Sequence, residues 1–257
     1  MNFTFFKYQG TGNDFIIFDD RDASFPANDS LIVHLCDRKF GVGSDGLILI
    51  QNSSEHDFHM EFYNPDASQS FCGNGSRCAV AFAYRLGIID SDCTFSAIDG
   101  IHKATLIEAE LIEVSMQDVN SITTIDQDLL LDTGSPHYIR FTEHLEKEDI
   151  IETGRSIRYS DRFKEDGINV NLVQVLNDRS LECATYERGV ENETLSCGTG
   201  VTAMALGASM AYGIDSPIKV LTKGGELEVR FTRNDQGYHQ VFLKGPAQFV
   251  FKGDIQL

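Results

Sequence analysis

The stretch Phe71-Cys72-Gly73-Asn74-Gly75-Ser76-Arg77-Cys78-Ala79-Val80-Ala81-Phe82-Ala83-Tyr84-Arg85-Leu86-Gly87 decides the fold, because the chain carries a second version of it. That version is Ser196-Cys197-Gly198-Thr199-Gly200-Val201-Thr202-Ala203-Met204-Ala205-Leu206-Gly207-Ala208-Ser209-Met210-Ala211-Tyr212-Gly213. Both open with Cys-Gly-x-Gly, run through an Ala-rich segment and stop at a glycine suited to a helix C-cap. Each predicts a helix that is apolar on nearly every face, and such a helix is surrounded by protein rather than lying on a surface.

The flanking segments repeat as well. Thr11-Gly12-Asn13-Asp14-Phe15-Ile16 is echoed by Thr133-Gly134-Ser135-Pro136-His137-Tyr138-Ile139, and the strand-like Leu47-Ile48-Leu49-Ile50 by Val170-Asn171-Leu172-Val173. Phe62-Tyr63-Asn64 precedes the first Cys-Gly much as Tyr186-Glu187-Arg188 precedes the second. After each helix come a strand, a glycine turn (Asp99-Gly100, then Gly224-Gly225) and another strand. The separation stays near 122–126 residues through five blocks in one order, which is the length of a domain. Alternating segments such as Phe58-His59-Met60-Glu61-Phe62-Tyr63 and Glu226-Leu227-Glu228-Val229-Arg230-Phe231 predict half-buried strands. The expected fold is α/β with two pseudo-symmetric domains, each a mixed β-sheet or barrel wrapped around a central helix. The pattern restarts near Met116–Ser121, which places the halves at residues 1–117 and 118–248.

Composition narrows the function. The 257 residues include 39 acidic against 21 Lys plus Arg, a net charge of −18, with no basic run. Nucleic acid and anionic membrane surfaces are thereby poor partners, since both are bound through clustered Lys and Arg. The N-terminus lacks the features of a signal peptide and the apolar stretch near Gly200–Ile214 is too short for a span, so a cytoplasmic location is expected. Six cysteines without a CxxC pair or zinc-like His spacing argue for reduced thiols and no metal site. Cys36, Cys78, Cys93 and Cys183 read as small buried apolar residues. Neither Gly10-x-Gly12 nor Gly41-Val42-Gly43 makes the dinucleotide-binding glycine pattern.

The two helix starts carry the chemistry. A helix N-terminus exposes unpaired N–H groups and a partial positive charge, so Gly73 with Asn74, and Gly198 with Thr199, can hold a carboxylate or phosphate. Cys72 and Cys197, at the N-cap positions, feel the same field. A contact of this kind is worth up to about 2 kcal/mol, enough to bring a thiol pKa toward neutrality, while burial pushes the other way. One thiol and one thiolate can then coexist. If a pseudo-twofold axis aims both sulfurs at one carbon, each about 3–3.5 Å from it, they lie roughly 6–7 Å apart on opposite faces. A base and an acid so placed invert a stereocentre beside a carboxylate. The bland alternative is two structural cysteines at helix starts.

These blocks resemble the diaminopimelate epimerase family along essentially the whole chain. The resemblance is carried by Gly10-Thr11-Gly12-Asn13-Asp14-Phe15, Phe40-Gly41-Val42-Gly43-Ser44-Asp45-Gly46-Leu47, Tyr63-Asn64-Pro65-Asp66 and the first Cys-Gly block. Gly134-Ser135-Pro136-His137, Ile168-Asn169, Glu187-Arg188-Gly189 and Glu193-Thr194-Leu195-Ser196-Cys197-Gly198-Thr199-Gly200 continue it. It implies a cofactor-independent epimerase interconverting LL- and meso-2,6-diaminoheptanedioate, acting as a homodimer in lysine and peptidoglycan precursor synthesis. It makes Cys72 and Cys197 the acid/base pair, and gives the reacting carboxylate to the amides of Gly73, Asn74, Gly198 and Thr199. Asn64, Asn169 and Arg188 match positions for the distal carboxylate, Glu187 the one for the distal ammonium, and Asn13 a further substrate contact. His137 and Glu187 match polar neighbours of the cysteines. Residues 249–257 are implied to return to the first half.

Ser135 stands where the family usually has Asn, with a shorter reach to the distal carboxylate. Some members have Gln at the position of Gly46, and the loop Val190-Glu191-Asn192 is about one residue longer than in many relatives. Taken singly, Asn64 before Pro-Asp also reads as a turn residue, His137 as a locally satisfied ring, and Glu187-Arg188 as a solvated pair. A proline racemase or hydroxyproline epimerase of the same fold is the nearest rival activity. Arg188 beside Glu187 disfavours it, because a proline-sized substrate has no distal carboxylate and ammonium. The related phenazine-biosynthesis isomerases lack paired cysteines. A non-catalytic amino-acid-binding redox sensor, its cysteines forming a disulfide, is the rival of another class.

Overall fold

The computed structural model describes residues 2–257 and divides into two compact units. One holds the chain up to Val114 together with Gly245–Leu257, the other Ser115–Lys244.

The first unit contains β1 (Asn2–Gly10), β2 (Asn13–Asp19), α1 (Asp29–Cys36), β3 (Gly46–Gln51), β4 (Phe58–Tyr63), α2 (Gly73–Arg85), β5 (Asp92–Ala97), β6 (Gly100–Glu108) and β7 (Leu111–Ser115). From β1 to β7, successive strands pair antiparallel, parallel, antiparallel, parallel, antiparallel and antiparallel. The second unit contains β8 (Thr123–Ile125), β9 (Asp128–Asp132), β10 (Pro136–Phe141), α3 (Ile150–Arg158), β11 (Asn169–Asn177) and β12 (Ser180–Glu187). It continues with β13 (Asn192–Thr194), α4 (Gly198–Tyr212), β14 (Ile218–Thr222), β15 (Gly225–Asn234) and β16 (Gly237–Pro246). Leaving aside the short β8 and β13, the pairings from β9 to β16 follow the same six-step order. The last strand, β17 (Gln248–Gln256), runs antiparallel to β1, pairing Asn2 with Gln256 and Gln9 with Gln248. The duplicated α/β fold expected from the repeats is therefore present.

Period-two alternation builds each unit around its sheet. On β2 and β3, Ile17, Ile48 and Ile50 face the core that holds α2, while Ile16, Phe18, Leu47 and Leu49 face Ile32 and Leu35 of α1. In the second unit Tyr138, Val170, Leu172 and Tyr186 share the core of Ile150 on α3. The α2 side chains from Cys78 to Ala83 are buried, as are those of α4 from Val201 to Ser209. That is the all-round burial expected of the two Ala-rich segments, and it places each helix start at the end of a fixed rod.

Both helices end at glycines in the left-handed region, Gly87 (φ 69°) and Gly213 (φ 68°). After α2, Gly87 N–H donates to Tyr84 O and Ile88 N–H to Ala83 O, both at 3.0 Å, closing a Schellman motif. All six cysteines are free thiols; Cys36, Cys78, Cys93 and Cys183 are buried and Cys72 and Cys197 half-buried. Among the described residues no helix is long and apolar enough to cross a membrane.

Candidate active site

The first half-site is the start of α2. Cys72 is its N-cap, in extended backbone conformation, and its Sγ accepts from Gly75 N–H at 3.3 Å. The same sulfur lies 3.8 Å from Asn13 Oδ1, to which its S–H donates. Asn74 Nδ2 donates to the same oxygen at 3.3 Å, and Asn13 Nδ2 donates to Asp45 Oδ2 at 2.8 Å. Behind them lies Arg77, a fully buried side chain. It donates to Asn74 Oδ1 (2.9 Å), Pro246 O (3.2 Å) and Gly73 O (3.5 Å). Burial pushes its guanidinium down to about 10, partly offset by Cys78 and Cys72. It is charged at neutral pH.

Asp45 is itself held by charge. Arg38 donates to Asp45 Oδ1 at 2.7 Å and to Asp14 Oδ1 at 2.6 Å, and Lys7 pairs with Asp14 at 2.5 Å. These cations outweigh burial and keep the Asp14 carboxyl below its ordinary range.

The second half-site is the start of α4. Cys197 is again the N-cap, and its Sγ lies 3.4 Å from Thr199 Oγ1. Thr199 Oγ1 is 3.0 Å from His137 Nε2, and Thr133 Oγ1 donates to Thr199 O at 2.8 Å. His137 is completely buried; burial, with Arg188 adding to it, takes its imidazole down to about 3. It is neutral across the physiological range. Asn171 completes the cluster, its Nδ2 lying 3.2 Å from His137 Nδ1.

The remaining residues named from the sequence fall into two places. Asn169 Nδ2 donates to Ser135 Oγ at 2.8 Å, and its Oδ1 accepts from Arg188 N–H at 2.9 Å, so Ser135, Asn169 and Arg188 form one polar group. The Arg188 side chain donates from Nη1 to Asp166 O at 2.9 Å, and Glu187 is half-buried beside it. Asn64 is tied to its own turn: its Nδ2 donates to Ser68 Oγ and Ser70 Oγ, both at 3.1 Å. Asn13, Cys72, Gly73 and Asn74 thus come together, as do His137, Cys197, Gly198 and Thr199, whereas Asn64 sits in a separate loop cluster.

Three contributors carried no role in the sequence reading: Asp45, Arg77 and Asn171. A charged residue in the middle of an apolar helix, and an Asn in a buried strand, were the available signals, because such groups are buried only with partners. Gly200 has a reason beyond ligand approach. A Cβ there would lie 2.9 Å from Asn171 Oδ1 and 3.2 Å from His137 Cε1.

Each half-site can do the same thing chemically. It presents a half-buried thiol beside the backbone amides of a helix start, so a proton can pass to or from sulfur while carboxylate charge is stabilised.

The family model described as diaminopimelate epimerase matches residues 5–122 and 129–250. A diaminopimelate epimerase from Flavobacterium psychrophilum is 47% identical over 253 residues, covering 97% of this chain and 99% of the relative. Among solved structures, a phenazine biosynthesis protein of the PhzF family from Bacillus anthracis superposes with TM-score 0.79 at 13% identity, over 100% of both chains. A hydroxyproline epimerase from Agrobacterium vitis gives TM-score 0.71 at 14% identity, over 99% of this chain and 91% of that one. At such identities these two structures share the fold alone.

Proposed function

This chain belongs to the diaminopimelate epimerase family, and from that premise we propose how its residues carry the reaction. The activity is isomerisation at one α-carbon of 2,6-diaminoheptanedioate, between the LL and meso forms, in lysine biosynthesis. A thiolate, Cys72 or Cys197 according to direction, takes the α-proton; the C–H bond breaks and its electron pair passes into the carboxylate as enolate-like charge. The other cysteine donates its S–H proton to the opposite face, forming the new C–H bond and becoming the thiolate. Exchange with solvent restores the starting protonation.

The observation that carries this reading is the same Cys-Gly-x-Gly helix start built twice, each with its cysteine as N-cap. Amides of Gly73, Asn74, Gly198 and Thr199 are fixed donors for the developing charge, and fixed donors need no reorganisation during the step. That supports inversion without an electron-sink cofactor. Asn13 sits next to the first sulfur as a further substrate contact. Arg188 and Asn169, braced by Ser135, supply donors suited to the distal carboxylate, with Asn64 as another; Arg fits a carboxylate through its two-pronged fork. Glu187 takes the distal ammonium, and His137 supports Cys197 through Thr199. A guanidinium and a carboxylate side by side favour this substrate over proline. Homodimeric assembly and a cytoplasmic location follow from the same family resemblance.

The test is isotopic. The reduced protein is incubated in D₂O with LL-diaminopimelate and, separately, with L-proline. Deuterium should enter one α-carbon of diaminopimelate as the meso form accumulates. Exchange with proline alone would transfer the assignment to the proline racemases, and exchange with neither would end the enzyme reading.

A further inference from the structure

The duplication supplies an internal control for the second half-site. His137, Asn171 and Thr185 occupy on β10, β11 and β12 the stations that Phe15, Ile48 and Phe62 hold on β2, β3 and β4. The registers agree: Asn171 is opposite Thr185 as Ile48 is opposite Phe62, and His137 opposite Asn169 as Phe15 is opposite Gly46. A Cβ on Gly200 would meet Asn171, and a Cβ on Gly75 would meet Ile48 at 3.4 Å. In the first unit these stations form an apolar floor under the helix start, with the Phe15 and Phe62 rings edge-on at 6.1 Å. The fold therefore supports such a helix start on hydrophobic residues. Three buried polar side chains in their place need complete hydrogen bonding to be tolerated.

That bonding runs in one direction. The Tyr138 carbonyl can only accept, so the Asn171 group 3.0 Å from it is Nδ2. Thr185 Oγ1 donates to Asn171 Oδ1 at 3.0 Å, fixing the amide from its other side. The second hydrogen of Nδ2 points to His137 Nδ1, which must then present a lone pair. The neutral ring carries its hydrogen on Nε2 and donates to Thr199 Oγ1. With one lone pair accepting from histidine, the Thr199 hydroxyl keeps its own hydrogen to give, and a thiolate at Cys197 Sγ, 3.4 Å away, can only accept it.

We propose that Asn171 is a positioning residue for proton transfer: by fixing the His137 tautomer it makes the Thr199 hydroxyl a donor to Cys197 Sγ and so stabilises that thiolate. The proposal rests on the reading of Cys197 as one of the two proton-transfer groups. Other titratable groups act on this cluster from β12 and the residues after it. Cys183 is kept a thiol by burial, and Arg188 bears on His137.

The test reads thiolate without turnover. Iodoacetamide modification of Cys197 and Cys72 is followed separately by peptide mass across pH. The variants are Asn171→Asp, Thr199→Val, the two combined, and Thr199→Ser. An aspartate accepts from His137 Nδ1–H, which leaves Nε2 to accept from Thr199 and draws the hydroxyl hydrogen away from sulfur. Asn171→Asp and Thr199→Val should each raise the Cys197 midpoint by about one pH unit, a tenfold loss of thiolate below it. The double variant should match Thr199→Val, because both changes remove one donor. Thr199→Ser should stay near wild type, and the Cys72 midpoint should hold throughout. Additive shifts would overturn the proposal, since they would reflect only the new charge at 171. An unchanged Asn171→Asp midpoint would overturn it too.

A long-range ¹H–¹⁵N spectrum of the unaltered protein covers the case in which Asn171→Asp fails to fold. It should show His137 protonated at Nε2 only, and a proton on Nδ1 would refute the arrangement. A protein inactive on diaminopimelate would overturn the assigned reaction, while this arrangement would still stand or fall on the midpoints and the tautomer.

Discussion

Arg77 Nη2 donates to Asn74 Oδ1 across 2.9 Å, from a side chain with no solvent exposure. A guanidinium cannot accept, so this contact sets which end of the Asn74 amide faces it and turns Nδ2 toward Asn13 Oδ1. Asp45, which can only accept when ionised, fixes the Asn13 amide from the other side through Nδ2. The chain from cation to carboxylate therefore has one polarity, and it presents the Asn13 oxygen to the Cys72 sulfur. A buried charge serves here to orient two neutral amides.

Replacing that charge should cost both stability and rate. Arg77→Met takes the side-chain donor from Asn74 Oδ1 and from the Pro246 carbonyl, while Gly73 O loses a second donor and keeps its helix bond. Unsatisfied buried acceptors cost about 1–3 kcal/mol each, reduced where the old ion's own desolvation is relieved. Urea unfolding should show a loss of at least about 1 kcal/mol, and kcat should fall as Asn13 and Asn74 lose their orientation. An unchanged midpoint with unchanged kcat would show that the amides are oriented without Arg77.

The cysteines admit a cleaner separation of chemistry from folding. Serine is a preferred N-cap, so Cys72→Ser and Cys197→Ser should keep both helices and leave the melting temperature within a few degrees. A serine hydroxyl does not supply a thiolate-like base at neutral pH. Each variant should therefore lose about 10²–10⁴-fold in kcat, the usual worth of a positioned acid or base. A single variant retaining more than a tenth of wild-type turnover would mean that its sulfur is not one of the two bases.

The duplicated fold was legible because hydrophobic pattern and glycine placement repeat together. Cys-Gly-x-Gly before an Ala-rich run forces a buried helix with a defined start, and Gly87 and Gly213 end it in the left-handed region both times. The placement of Cys72 and Cys197 as the N-caps was legible in the same pattern. What the sequence concealed are groups whose meaning lies in direction rather than type. Asn171 sits in a buried strand, where pattern predicts an apolar side chain, and only its contacts to Tyr138 O and Thr185 Oγ1 show what it orients. Asn64 illustrates the opposite case, since its Pro-Asp context predicts the turn in which its amide is engaged.

His137 gives a signed dependence of stability on pH. Its folded pKa is lowered, chiefly by burial, from 6.5 to about 3. Above 6.5 the ring is neutral in both folded and unfolded chains and adds no slope. Between 6.5 and about 3 the unfolded chain takes up a proton that the folded site refuses, so stability falls as pH falls through that window. The slope from this one group approaches about 1.4 kcal/mol per pH unit. His137→Gln should lose that part of the acid limb in urea titrations at pH 7, 5.5 and 4.5. Equal slopes for the two proteins would place the proton on the folded ring as readily as on the free one.

Ser135 tests distal recognition apart from proton transfer. Its Oγ accepts from Asn169 Nδ2, and Asn169 Oδ1 holds the Arg188 backbone, so Ser135 braces the group proposed to bind the distal carboxylate. Ser135→Ala removes one neutral hydrogen bond, worth about 0.5–1.5 kcal/mol, or roughly a 2- to 12-fold change in an equilibrium constant. The distal carboxylate keeps its charge throughout the reaction, so the lost binding is common to ground and transition states. KM for diaminopimelate should rise by about that factor while kcat stays within about twofold. If kcat and kcat/KM instead fall together, the Ser135–Asn169 contact acts on the reacting carbon, and the division between distal binding and proton transfer at the cysteines has been drawn in the wrong place.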